Sequence, residues 1–238
     1  MIHNTIDENA YQRERLETFF DEELVAWTKE IMQQYNRLMA YYRCAIMEVE
    51  TKFNVLNEEF SLRHDRNPIS VIKGRLKSLD SIKEKLERKG LPFQWKVMEE
   101  NILDVAGVRV ICSFLDDVYL LADALLKQDD IILIEKKDYI ANPKENGYRS
   151  LHLIVAIPIF LEHEKRVMPV EIQLRTIAMD FWASLEHQLR YKKNCDFTEA
   201  MAEELQNCAN LSAQLDIKMD SLRESVESKD KIKEKSLY

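Results

Sequence analysis

Hydrophobic and polar positions change period several times along the 238 residues, and each change marks an element. From residue 8 to 60 apolar side chains such as Phe19, Leu24, Trp27, Ile31, Tyr42 and Val49 recur at three- and four-residue steps without a proline. That spacing predicts one or two helices, serving as a lid or an oligomer face. Asn67-Pro68 then opens a helix that Gly90-Leu91-Pro92 closes, since proline suits a first turn and glycine a last one. On it Lys73 and Lys77 share a face, whereas Arg75 and Lys77, two apart, splay. Residues 101–115 end a helix, break at Gly107 and continue as a strand, with Val108, Val110, Cys112 and Phe114 alternating with Arg109, Ile111 and Ser113. Asp116-Asp117 caps a helix to about Lys127, and 131–135 form a second strand. A polar loop, 142–147, feeds a third strand from Tyr148, and 168–175 form a fourth. Thr176 begins a helix, and 198–233 form a long one with Leu205, Cys208, Leu211, Leu215, Met219 and Leu222 at helical steps, for packing or oligomerisation. The order is helices, β-α-β-β-β, helices. It predicts an α+β fold: a mixed sheet of about four to five strands flanked by helices, in a single domain with helical ends.

Composition narrows the class. Apolar residues make up 46% and charged residues 32%, which fits a folded globular chain. No apolar run is long enough for a transmembrane helix, and the polar, acidic N-terminus is unlike a signal peptide. Cys44, Cys112, Cys195 and Cys208 form no C-x-x-C pair or zinc spacing, so a reduced, cytoplasmic setting is expected, with Cys112 a small core residue. The net charge of −8 excludes a general nucleic-acid binder, and DNA is not an expected partner. Residues 61–90 nevertheless hold nine Lys/Arg against four Asp/Glu. A basic island in an acidic chain suits a local polyanion such as nucleotide phosphates; a solvated helix face is the bland alternative.

The candidate chemistry sits on the alternating strands. In the stretch Lys144-Glu145-Asn146-Gly147-Tyr148 through His152, the side chains of Tyr148, Ser150 and His152 share the face opposite Leu151 and Leu153. A phenol, an imidazole, a lysine and a nearby glycine suit a base and its phosphates, and equally a plain hairpin. Arg109, early in a central-looking strand, is costly unless paired or bound to a ligand. Asp104, just before that strand, either holds a divalent cation or pairs with a nearby Lys or Arg. Glu171, Gln173 and Arg175 line up on one side of the fourth strand. Met179 and Trp182 read as core. The His64-Asp65 pair lacks the further ligands that a metal phosphohydrolase needs.

The GRLK segment, the Asp before GVRVICSF, the NGYRSLHL loop-strand and the EIQLRT strand resemble, in this order and spacing, the synthetase domain of the RelA/SpoT family, over about residues 65–192. With no hydrolase or regulatory domain alongside, the chain resembles the small, single-domain alarmone synthetases. The resemblance implies a nucleotidyltransferase-like fold and a pyrophosphokinase that moves the β,γ-pyrophosphate of ATP to the 3′-hydroxyl of GDP or GTP, making ppGpp or pppGpp, without hydrolase activity. By motif, Arg75 and Arg109 stack on adenine, Lys77 contacts phosphate, and Ser81, Lys85 and Arg88 lie near the ATP phosphates. Asp104 and Glu171 hold Mg²⁺, with Glu171 catalytic; Tyr148 stacks on guanine, and Lys144, His152 and Gln173 contact the acceptor. The family and the helical ends imply a homotetramer. Two departures stand out. Lys137 replaces an arginine of some members. Asp180 replaces an asparagine through which some members bind activating pppGpp, and an acidic side chain there implies weak or no such activation. The rival reading is a nucleotide- or RNA-binding regulatory protein without catalysis. The carboxylate pair Asp104 and Glu171 argues against it, because a pure binder needs no metal-holding acids.

Overall fold

The computed structural model describes residues 8–64, 66–190 and 197–235. Asp65 and the side chain of His64 lie outside what is described. The chain divides into two compact units, residues 1–41 and 42–238. The described part of the first is helical, the opening portion of α1 (Glu8–His64), on which Leu24, Trp27 and Met32 are exposed.

In the second unit the rest of α1 is core rather than lid: Tyr42, Ala45, Ile46, Val49, Phe53 and Leu56 are all buried. The other elements, in chain order, are β1 (Ile69–Leu76), α2 (Leu79–Arg88), α3 (Trp95–Asn101), β2 (Ala106–Cys112), α4 (Leu115–Leu126), β3 (Ile132–Asp138), β4 (Leu151–Phe160), β5 (Lys165–Thr176), α5 (Ile177–Arg190) and α6 (Glu199–Lys235). The five strands form one mixed sheet in the order β1-β2-β5-β4-β3, parallel only between β2 and β5. The α+β class and the strand count follow the sequence pattern.

The first strand was not foreseen. The segment expected to open a helix at Asn67-Pro68 is strand β1, and the helix starts only at Leu79. The two-residue spacing of Lys73 and Arg75, awkward on a helix, puts both on one face of a strand. Gly74 between them is needed for packing: a Cβ there would come 2.6 Å from Ile46 Cγ2 and from Glu50 Oε1 of α1.

One sheet face is apolar. Val108 and Val110 of β2, Leu151, Leu153 and Val155 of β4 and Ile172 and Leu174 of β5 are at most 1% exposed. Cys112 is buried with them, as expected, and burial pushes its thiol pKa up. Helix α4 packs on β2 and β5 through Val118, Leu121, Ala122 and Leu125. Its start is fixed by Asp117, which accepts from Phe114 N and takes both nitrogens of Arg66 at 2.8 and 2.7 Å. The apolar stripe of α6, expected to serve packing or oligomerisation, is exposed at Leu211, Leu215, Met219 and Leu222, and α6 docks on the sheet unit through Ala209 and polar groups. Ser212 Oγ donates to Ala178 O, Asp216 accepts from Thr176 Oγ1 at 2.7 Å, and Arg223 pairs with Asp116 at 2.7 Å. Met179 and Trp182 of α5 are core residues, each 5% exposed. No described helix is long and apolar enough to cross a membrane.

Candidate active site

Strand register builds the site. Lys73 pairs with Arg109, Arg109 with Gln173, Gln173 with His152, and His152 with Lys137. Five polar side chains, one per strand, thus form a row across the whole sheet. One step along, Arg75 pairs with Gly107 and Gly107 with Glu171. In-register partners share a face, so this polar grid lies opposite the apolar one.

At the β1 end the grid lines a cleft of about 310 Å³, bounded by Lys73, Arg75, Asp104, Arg109, Glu171 and Gln173. Gly107, in the middle of the row, leaves its floor without a side chain. Asp104 lies at the edge. Its Oδ2 takes Lys77 at 2.9 Å and Lys85 at 2.7 Å, while Oδ1 is buried without a hydrogen-bond partner among the described residues. Burial raises the Asp104 pKa, but the two ammonium groups outweigh it and hold the carboxyl below its ordinary range. Arg109 is pushed down by burial and by the nearby Arg175, against the pull of Asp180.

At the β4 end lies an aromatic group. Tyr148 and His152 each meet Tyr139 edge to face, with centroids 6.0 and 5.2 Å away, and Lys144 Nζ stands 4.6 Å from the Tyr139 ring centroid and 4.9 Å from that of Tyr148. The loop reaches this position through Gly147, whose φ of 87° is costly for other residues and whose Cβ would come 2.5 Å from Ala209 Cβ of α6. Tyr148 packs against Trp182, Ala183 and Ala209.

Polar contacts centred on Arg175 join the two ends. Arg175 Nη2 donates to the Tyr148 hydroxyl at 2.5 Å, and that hydroxyl shares a hydrogen bond of 2.7 Å with His152 Nε2. His152 Nδ1 lies 3.4 Å from Glu171 Oε1. On the other side Arg175 donates to Gln173 Oε1 at 2.9 Å, and Gln173 Nε2 donates to Glu171 Oε2 at 2.9 Å. Both arms end on Glu171. Burial raises its pKa and the Asp104 charge adds to that, but His152 and Gln173 outweigh them and keep the carboxyl below its ordinary value.

Of the residues singled out in the sequence, Arg75, Asp104, Arg109, Glu171 and Gln173 meet in the cleft, and Lys144, Tyr148 and His152 meet beside it. Lys77 and Lys85 attach through Asp104. Ser81 and Arg88 are not among the residues lining the cleft: Ser81 sits in the cap of α2, where Ser78 Oγ takes its backbone N–H, and Arg88 Nε donates back to Glu84 O. Lys137 pairs with Glu135 at 2.9 Å. Arg175, only 4% exposed, was seen as part of a polar row but given no role; its hidden signal was the same two-residue spacing that places Glu171 and Gln173. Lys73 and Tyr139 were also missed. Asp180 is not a free acid. It pairs with Arg109 at 3.2 Å and Arg175 at 3.3 Å, so repulsion of a polyphosphate loses its premise.

The model of a region found in RelA and SpoT proteins matches residues 74–196, which carry most of this grid. The chain belongs to the RelA/SpoT family. It is 43% identical to the GTP pyrophosphokinase YwaC of Bacillus subtilis over 199 residues, 84% of this chain and 95% of that protein. Its fold is similar to the small alarmone synthetase 1 of B. subtilis bound to its product pppGpp, with a TM-score of 0.74 and 36% identity over 81% of this chain and 98% of that one. The same protein bound to AMPCPP matches with a TM-score of 0.70 and 33% identity, over 82% of this chain and 99% of that one.

Proposed function

We propose that this RelA/SpoT protein is a (p)ppGpp synthetase that transfers the β,γ-pyrophosphate of ATP to the 3′-hydroxyl of GDP or GTP. The observation that carries this reading is Glu171, held ionised between an arginine-lined cleft and an aromatic group with its own lysine. A small alarmone synthetase of this fold is known bound to AMPCPP and bound to its product pppGpp, which is the ligand chemistry this reading calls for.

Arg75 and Arg109 offer flat guanidinium planes for adenine, which suits arginine better than lysine. Lys73, with Lys77 and Lys85 behind Asp104, supplies positive charge for the triphosphate. Tyr148 is the guanine platform, and Lys144 stands over the ring to clamp acceptor phosphate. Glu171 takes the proton of the 3′-hydroxyl as its oxygen attacks the β-phosphorus. The bond from that phosphorus to the α,β-bridging oxygen breaks, and AMP leaves with the oxygen. Little covalent help is needed, because such transfers rest on positioning and charge neutralisation.

The carboxylates fit Mg²⁺. Asp104 Oδ1 is buried without a hydrogen-bond partner among the described residues, Glu171 lines the same cleft, and both carboxyls are held below their ordinary pKa and so are ionised at neutral pH. No cluster of three or more ligating side chains occurs among the described residues, so phosphate and water oxygens would complete the shell. Bound there, the ion would neutralise phosphate charge. The exposed stripe of α6 supports a homotetramer, and sedimentation at monomer mass would contradict it. The cysteine usage supports a cytoplasmic setting.

The reaction is tested by incubating the protein with ATP, GDP and Mg²⁺ and resolving the nucleotides. AMP and a tetraphosphorylated guanosine are expected in equal amounts. ADP or free pyrophosphate in their place would refute the transfer, and binding without turnover would favour a nucleotide sensor.

A further inference from the structure

A single carboxylate oxygen joins the two halves of the site. Asp180 Oδ1 accepts from Arg109 Nη1 at 3.2 Å and from Arg175 Nη1 at 3.3 Å. Arg109 lines the cleft on the ATP side. Arg175 lies on the acceptor side, with its guanidinium carbon 5.1 Å from the Tyr148 ring centroid. Its nitrogens also reach the Tyr148 hydroxyl at 2.5 Å, Gln173 Oε1 at 2.9 Å and Ser150 Oγ at 3.3 Å. The Arg175 and Asp180 side chains are 5% and 13% exposed and Arg109 31%, so the bridge is buried at its Arg175 end and opens toward the cleft at Arg109. Two guanidiniums so close repel each other, and Asp180 is the anion that holds them together.

We propose that Asp180 and Arg175 are positioning residues that link the two nucleotide subsites, so that a purine held on Arg109 favours the Tyr148 arrangement that accepts the second nucleotide. The link rests on the pyrophosphate-transfer reading, which puts ATP at Arg109 and the acceptor at Tyr148. A base stacked on Arg109 fixes that guanidinium. Asp180 is fixed in turn, then Arg175, and through it the Tyr148 hydroxyl and the Gln173 amide that orients Glu171. Ordering completed by the first nucleotide need not be supplied again by the second, which makes binding cooperative, and the effect is reciprocal. Asp180→Asn keeps the shape but leaves two guanidiniums without their shared anion. Tyr148→Phe keeps the stacking ring but cuts the bond to Arg175.

The test is calorimetric titration of GDP into the native protein, D180N and Y148F, with Mg²⁺, with and without saturating non-hydrolysable ATP analogue, after melting curves confirm folding. In the native protein the analogue should tighten GDP binding by about fivefold or more. In D180N and in Y148F the ratio should fall to within about twofold of one. Either variant carries the test if the other fails to fold. A ratio of one in the native protein, or a ratio kept in the folded variants, overturns the link and leaves the pyrophosphate-transfer reading intact. A native protein that binds neither nucleotide overturns that reading and the link with it.

Discussion

Single side chains carry two kinds of electrostatic work here, and Asp104 shows both. Its Oδ2 pairs with Lys77 and Lys85, while its Oδ1 is buried with no hydrogen-bond partner among the described residues. The sequence left open whether this acid pairs or binds metal; the structure shows the pairing, and Oδ1 is the oxygen that the proposed Mg²⁺ would take. Removing the carboxylate leaves two largely enclosed ammonium groups without an anion, so Asp104→Ala should cost about 3 kcal/mol, the scale for breaking a buried pair. The sign of its pH dependence follows from the depressed pKa. A carboxyl whose folded pKa is lowered contributes stability that is present above its unfolded value and lost as pH falls through the folded one. Urea unfolding of native and D104A protein should therefore differ by a constant amount from pH 6 to 8. The difference should shrink only below about 3.8, the ordinary value for this acid. A difference that drifts across neutral pH would show that the lysine pairs do not dominate.

At the scale of elements, legibility depended on how each one docks. Strands β2, β4 and β5 alternate cleanly because one face is wholly apolar, so Arg109, His152, Glu171 and Gln173 could be found from period two alone; Tyr148, expected to open a strand, lies in the loop before β4, which starts at Leu151. Strand β1 lies at the sheet edge with much of its surface exposed, and its Lys73, four residues before Lys77, mimics a helical face; the splayed Arg75 and Lys77 were the sign that the helix begins later. Helix α6 was legible as an apolar stripe for packing or oligomerisation but not in how it docks. It does so by hydrogen bonds and ion pairs with its apolar stripe exposed, and a hydrophobic pattern does not distinguish those two uses. One consequence is testable at the loop that α6 supports. Gly147 combines a positive φ with a Cβ position 2.5 Å from Ala209 Cβ, so Gly147→Ala must move the loop bearing Lys144 and Tyr148. Steady-state kinetics should show the acceptor KM raised about tenfold while the ATP KM changes by less than about twofold; a tenfold acceptor change corresponds to about 1.4 kcal/mol. Equal changes in both would place the loop elsewhere in the mechanism.

For the molecule, the sheet order is what makes a site out of scattered motifs. The parallel pairing of β2 with β5 brings Arg109 beside Gln173 and Gly107 beside Glu171, although each pair is 64 positions apart in the chain. Insertion of β5 between β2 and β4 then puts the cleft arginines and the aromatic group around Tyr148 on either side of one carboxylate. The family resemblance named most of these residues. It could not supply the chain of contacts from Arg175 that ends on Glu171, nor the pairing of Asp180, since both arise from register and from side chains meeting across elements. The central claim is that Glu171 serves the chemistry rather than nucleotide binding. The direct test measures AMP formation by Glu171→Gln with ATP, GDP and Mg²⁺, alongside its affinity for GDP and for a non-hydrolysable ATP analogue. The account predicts turnover lower by about a thousandfold or more, the scale of a lost catalytic base, with both affinities within about threefold of the native protein. Retained turnover, or loss that follows weakened binding of either nucleotide, would contradict it.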